Sequence, residues 1–364
     1  MIRILLNYTP DRRSRLEMLN QMVEVAEKIG PEEAFTVLRQ MFELDPQNTQ
    51  RRLEEAAESL QRFQTLAESY VSVAKASSGD RAVELWITAG RLYDERSPRP
   101  ADAIAAFREA LRLDSQNVDA REALERLLAE QNDPEALLDV LQLRLAEVEE
   151  PADRALLLAR IGGVQVDELE RLDDAVATFR AVLELEPQHS AALANLDDLH
   201  RRLEQWTDLE GILVQREAVA ESDDERLALM VRRARLLAGP LDRADDAATV
   251  FLELLGRASD HSEILDGLAD LVARQVQVVP IARSLEPIYG QQGKHDAQVD
   301  MLAELAAHEE TPEARAMAAR RGAQVAEARL SEPSRALELV AVGLRHMPEN
   351  EDLLETMIRL GREG

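Results

Sequence analysis

The residues that could do chemistry in this chain fall into four arrangements, and each lacks a part. His308-Glu309-Glu310-Thr311-Pro312 begins as a zinc-binding His-Glu-x-x-His helix would, but the second histidine is missing and a proline interrupts the run. Gly290, Gly293 and Lys294 have neither the spacing nor the preceding strand of a phosphate-binding loop. Carboxylate pairs recur at Asp173-Asp174, Asp197-Asp198, Asp223-Asp224 and Asp245-Asp246, most of them where a helix should begin and where acid complements the helix dipole. Histidines stand at 189, 200, 261, 295, 308 and 346. His189 and His261 are 72 residues apart, and the corresponding places elsewhere hold Asn48, Asn117 and Asn350, so a helix-capping role covers all five. With no cysteine, disulfides, thiolate catalysis and Cys-ligated zinc are excluded. No catalytic residue, cofactor or metal is expected.

The elements that carry these residues are helical. Hydrophobic residues make up 45% of the 364-residue chain, charged residues 31% and aromatics 3%, and Ala, Leu, Glu and Arg dominate, a composition that folds and favours helix over strand. No uninterrupted apolar run is long enough to span a membrane, and MIRILLNYTP lacks the core and cleavage site of a secretory signal, so a cytoplasmic location is expected. Lys occurs only at 28, 75 and 294, and this preference for Arg, together with the Ala content, looks like the codon bias of a high-GC bacterium. The net charge of −27 is concentrated in residues 80–311, which hold 25 basic and 49 acidic side chains. Such a surface repels a phosphate backbone, so no nucleic acid is expected; the acid either provides solubility or attracts a basic protein or peptide as partner.

Self-comparison gives a period of 72 residues. Phe107, Phe179 and Phe251 share it, as do Leu111, Leu183 and Leu255, and Leu124, Leu196 and Leu268. The period divides the chain into units 10–79, 80–152, 153–224, 225–311 and a partial 312–361. Apolar residues spaced by three and four, as at Leu193, Leu196, Leu199 and Leu203, place one face of each helix inward, and Pro, Asn and Asp punctuate four helices per unit.

The stretch ELWITAGRLYDERSPRPADAIAAFREALRLDSQN resembles a tetratricopeptide repeat at Trp86, Gly90, Tyr93, Ala103, Phe107 and Ala110, with one extra residue in the turn and Ser115 in the usual place of Pro. Residues 153–188 resemble it at Gly163, Ala175, Phe179 and Pro187, and Phe251 continues the series. The resemblance implies an all-α, right-handed solenoid of antiparallel helix hairpins, about twenty helices in a single array. It also implies a non-enzymatic scaffold that holds a protein or peptide in a groove lined by the first helix of each hairpin. Carried over by motif, the groove positions are Glu84, Ile87, Arg91, Asp94 and Glu95, then Leu157, Arg160, Val164, Asp167 and Glu168. The family's carboxylate clamp of Lys and Asn is not reproduced around Arg91.

The fourth unit is longer. From Leu199 to Arg226 is 27 residues, whereas from Leu271 to the corresponding Arg315 is 44, an insertion of 17 that predicts one extra helix, kinked or shortened at Pro287. At the ends, IRILLN resembles the tail of a preceding repeat, and Leu353, Leu354, Met357, Ile358 and Leu360 stand without a following partner helix. These ends are expected to meet another chain, as in end-to-end self-association within a larger assembly, to belong to a longer array or regulatory portion of a larger protein, or, at the close, to form an amphipathic helix lying on the last hairpin.

Overall fold

The computed structural model describes residues 11–363. Among them are twenty α-helices, two π-helical turns and no strand. IRILLN lies outside the described residues. In chain order the helices are α1 Arg12–Ile29, α2 Pro31–Leu44, α3 Pro46–Ser59, α4 Phe63–Ala76, α5 Asp80–Arg91, α6 Pro100–Leu113, α7 Val118–Glu130, α8 Pro134–Glu147, α9 Pro151–Asp167 and α10 Leu172–Leu185. They continue as α11 Ser190–Arg202, α12 Trp206–Val219, α13 Asp223–Ala238, α14 Ala244–Leu255, α15 Ser262–Ala273, α16 Val278–Gln291, α17 His295–His308, α18 Pro312–Val325, α19 Pro333–His346 and α20 Glu351–Glu363. The described residues pack as two compact units, one of 11–150 with Gly163–Arg171, the other of Pro151–Gly162 with 172–363. Within each, consecutive helices form hairpins, and each hairpin packs on the next.

Local chemistry sets the helix ends. Proline opens α2, α3, α6, α8, α9, α18 and α19, where its missing N–H costs nothing. Asn117, His189 and Asn350 cap α7, α11 and α20, each accepting a backbone N–H three residues on, at 3.0, 3.1 and 3.1 Å. Two of the five expected caps are different. Asn48 lies inside α3 and donates to Asp45 at 2.8 Å, because Pro46 moves the helix start upstream. His261 precedes α15 without a side-chain cap bond. Five turns close alike: Arg62, Asp133, Gln205, Val276 and Lys294 each donate a backbone N–H to the carbonyl five residues earlier, after Gln61, Asn132, Glu204, Gln275 and Gly293 in the left-handed region.

The second turn type explains the extra residue of the first strong repeat. Arg99, Arg171 and Arg243, spaced by 72, each donate their N–H to the carbonyl six residues back, of Tyr93, Gln165 and Leu237, at 2.9, 2.7 and 2.8 Å. Glu170 and Asp242 make this turn with positive φ. The matching residue at 98 is proline, whose ring fixes φ negative. There the chain widens into the π-helical turn Leu92–Arg96, closed by Ser97 N–H to Leu92 O at 3.0 Å.

The core repeats a contact between a missing side chain and an aromatic ring. A Cβ added at Gly90 would lie 2.8 Å from the Phe107 ring, one at Gly162 would lie 2.7 Å from Phe179, and one at Gly267 would lie 2.5 Å from Phe251. The three phenylalanines are fully buried, as are Ala103 and Ala175, and Trp86 and Tyr93 are buried beside Gly90. The glycine that serves Phe179 is therefore Gly162, 72 residues after Gly90, and not Gly163, whose added Cβ would meet nothing within 4 Å.

The insertion is a complete helix. Between α14 and α18 stand α15, α16 and α17, where other units have two helices. α16 is not shortened: it continues through Pro287 to Gln291. At the other end, Leu353 and Leu360 of α20 are buried, while Leu354, Met357 and Ile358 remain exposed.

Two pairs of substitutions check this register. Phe107→Ala and Phe179→Ala should each lose roughly 3–5 kcal/mol in chemical denaturation. Gly162→Ala should destabilise by about 2 kcal/mol through overpacking against Phe179, whereas Gly163→Ala should be neutral or stabilise by up to about 1 kcal/mol by removing a helix glycine.

Candidate protein-binding face and its buried carboxylates

On α5 the residues that face neighbouring helices are Ala82, Val83, Leu85, Trp86, Ala89 and Gly90, all buried. Glu84 and Arg91 are exposed on the remaining strip, with Ile87 and Asp94 half-buried. Glu84 pairs with Arg81 at 3.0 Å. Arg91 reaches Asp119 on α7 at 2.7 Å, and Asp94 pairs with Arg126, also on α7. The arrangement returns in the second compact unit, where Arg235 meets Glu263 at 3.0 Å with both residues displaced by 144. Arg359 and Glu327 repeat the Arg126–Asp94 pair near the end of the chain. Exposed pairs of this kind contribute about 0–1 kcal/mol each, so an incoming charged group can exchange with them at little cost.

The second set of predicted positions is displaced by one residue. Arg160 and Asp167 are exposed, but Val164 is only 7% exposed and Leu157 only 5%, so neither lines a groove. The motif alignment used an offset of 73, whereas the Gly–Phe contacts fix 72, and one residue turns a helix by about 100°. At the true offset Leu156, 64% exposed, replaces Glu84, and half-buried Gly163 replaces Arg91. The strip therefore changes from charged on α5 to partly apolar on α9.

Beneath the surface lies a set of carboxylates that reading the sequence for motifs does not reveal. Glu125 on α7, Asp197 on α11 and Glu286 on α16 are each less than 5% exposed. Arg144, nineteen residues after Glu125, bonds it at 3.2 Å. Arg216, also nineteen residues on, bonds Asp197, and Arg232, thirty-five residues on, grips the same carboxylate in bidentate fashion at 2.7 and 2.9 Å. Arg321, thirty-five residues after Glu286, grips it through one nitrogen at 2.9 Å to both oxygens, and Gln298 adds a bond at 2.8 Å. Burial alone would raise the Asp197 carboxyl, but the guanidiniums of Arg232 and Arg216 overcome it and hold it below the ordinary carboxylate range. The common spacing was the available signal; single acids on helices otherwise read as solvated faces. Because α16 carries Glu286, the inserted helix shifts the phase of the array and the clamp resumes 89 residues after Asp197.

Among the described residues no group of His, Asp and Glu is placed to hold a metal ion, and no helix is long and apolar enough to cross a membrane. The chain is a helical-repeat protein built of tetratricopeptide-like hairpins, as the Gly–Phe contact, the 72-residue period and the absence of strands among the described residues define it. No family model matches it, and no curated protein does. Among solved structures it is similar to Naa15/Naa10 bound to HypK-THB, at 16% identity and a TM-score of 0.41, over 97% of this chain and 61% of that one; the chain thus spans about three fifths of that relative's length. It is also similar to a tetratricopeptide repeat protein from Parabacteroides merdae, at 15% identity and a TM-score of 0.33 over 76% and 98% of the two chains. A third is YrrB, described as a TPR protein with an unusual peptide-binding site, at 18% identity and a TM-score of 0.33 over 55% and 97%.

The Asp197 clamp has a pH signature. A carboxyl whose folded pKa is depressed stabilises the fold above its unfolded value near 4, and that stability is lost as pH falls through the lower folded value. Asp197→Asn should therefore cost roughly 2 kcal/mol at pH 7, and the gap between wild type and variant in urea melts should narrow steadily below pH 4.

Proposed function

We propose that this protein is a non-enzymatic scaffold that binds a partner protein or peptide along the exposed strip of its first helices. Glu84, Ile87 and Arg91 on α5 and Asp94 in the π-helical turn that follows it are the contact residues of this reading. The observation that carries it is the strip itself, where ion pairs from α5 to α7 stay at the surface and recur 144 residues later without entering the core. The acidic surplus of residues 80–311 favours a partner segment rich in Arg or Lys.

A second reading has its own observation. α20 leaves Leu354, Met357 and Ile358 exposed, and among the described residues α1 and α2 border a groove of about 710 Å³ lined by Met18, Met22, Val25 and Ile29. Apolar surfaces near both ends support self-association within a larger assembly.

Affinity capture with the full chain, followed by mass spectrometry, tests the first reading. The captured partner should dissociate progressively as salt is raised from about 50 to 300 mM, over which screening of exposed charges becomes strong. Glu84→Lys combined with Asp94→Lys should weaken capture about tenfold. Capture of nothing above background, or equal capture by the double variant, overturns it. For the second reading, sedimentation at rising concentration should show oligomers that Met357→Lys abolishes; a monomer throughout rejects it.

A further inference from the structure

A repeated surface pocket has a different character in two successive units. In unit 80–152 a pocket of about 520 Å³ lies on the second helices of two successive hairpins, α6 and α8, with α7 between them. In unit 153–224 a pocket of the same size lies on α10, α11 and α12. The two are the same place in the repeat: Arg108, Leu111 and Val140 of the first return as Arg180, Leu183 and Ile212 of the second, each 72 residues later. Neither is part of the α5 strip.

The substitutions between the copies follow one direction. In the later pocket Arg180 is tied to Asp208 at 2.7 Å. The residue matching Asp208 in the earlier pocket is Ala136, and among the described residues Arg108 has no ion pair. Glu184 of the later copy is Arg112 in the earlier one, and Leu193 is Arg121. The apolar lining changes too, since Gln215 corresponds to Leu143, which is 71% exposed. Arg121 and Arg144 are committed to Glu147 and Glu125, at 3.3 and 3.2 Å, and so frame the pocket with guanidiniums held in place. Arg112 holds only the exposed Glu109 one turn away, at 2.9 Å. In a chain of net charge −27, four guanidiniums line this site; Glu109, Glu147 and Glu125 pair with Arg112, Arg121 and Arg144, so Arg108 is the one of the four without an ion pair among the described residues.

We propose that the pocket on α6, α7 and α8 is a second binding site, selective for a peptide segment of a partner protein in which an Asp or Glu stands next to an apolar side chain. The carboxylate meets Arg108, with Arg112 exchanging from Glu109 to join it, a charge-assisted bidentate geometry that guanidinium favours. The apolar neighbour covers Leu111, Val140 and Leu143, and the volume suits two or three side chains. The ligand charge is opposite to that favoured by the acidic surface, so the two sites select different segments.

Fluorescence anisotropy with the full chain and a labelled, end-blocked hexapeptide of alternating Glu and Leu tests the assignment, with Gln–Leu and Lys–Leu hexapeptides as comparisons. The Glu peptide should bind at least about tenfold more tightly than the Gln peptide, as expected for a charge-assisted contact. Methyl resonance shifts should fall on Leu111, Val140 and Leu143. Ala136→Asp, which gives Arg108 the partner that Asp208 gives Arg180, should reduce Glu-peptide binding about tenfold while circular dichroism and melting stay unchanged. Arg108→Gln should do the same, and Glu84→Lys on the strip should leave this binding intact, which keeps a failure here separate from a failure of the strip. Equal affinity for the Glu and Gln peptides, unaltered binding by folded Ala136→Asp, or methyl shifts confined to other helices would overturn the proposal.

Discussion

The structure depends on the approach of a phenylalanine ring to a helix that has no side chain at the point of contact. At Gly90 and Gly162 the missing Cβ leaves room for Phe107 and Phe179, and the two helices of the hairpin close to a distance that even alanine would not allow without movement. Everything else in the repeat follows the register this contact sets. It fixes which face of α5 is buried, and hence which residues form the strip. It also sets the 72-residue phase in which Asp197 meets Arg216 and Arg232. Where the contact changes, as at Phe251, where Gly267 comes from the following hairpin and Ala234 occupies the original place, the core is kept by exchanging which neighbour supplies the space.

A second layer of restraint joins hairpins through charge. The exposed pairs are weak singly, but the buried clamps are of another kind. Each removes a carboxylate from water and then satisfies it with guanidiniums drawn from one or two later helices. Such groups favour one arrangement over others, because a slip of one residue would leave a buried charge without a partner. α20 is held differently: it rests on Gly343 through Leu353 and holds an apolar face outward.

Much of the architecture was legible in the amino-acid order because its signals are local. Proline, Asn and Asp mark helix starts, and the count of residues from Leu271 to Arg315 reveals the additional helix before any coordinate is seen. Other parts were illegible for physical reasons. The two adjacent glycines at 162 and 163 are indistinguishable as letters, and only the ring of Phe179 separates them; choosing the wrong one turned Leu157 and Val164 outward. Glu125, Asp197 and Glu286 were hidden because an acid on a helix is ordinarily solvated. His189 and His261 share a place in the repeat, yet only the His189 side chain receives a backbone N–H; at His261 the Ile264 N–H goes to the backbone carbonyl instead, at 3.1 Å. The strip on α5 was legible because Trp86, Gly90 and Tyr93 leave little choice of face.

The spacing of the buried clamps also sets how such a chain can be shortened or lengthened. A cut between α12 and α13 separates Asp197 from Arg232, although both flanking hairpins would look complete. Duplication of one hairpin alone would put the wrong helix thirty-five residues downstream of each acid. The unit that can be excised or copied without orphaning a carboxylate is thus a pair of hairpins. The seventeen-residue insertion obeys the same grammar: it adds a helix and moves the acid onto α16, so that the sentence still ends on Arg321.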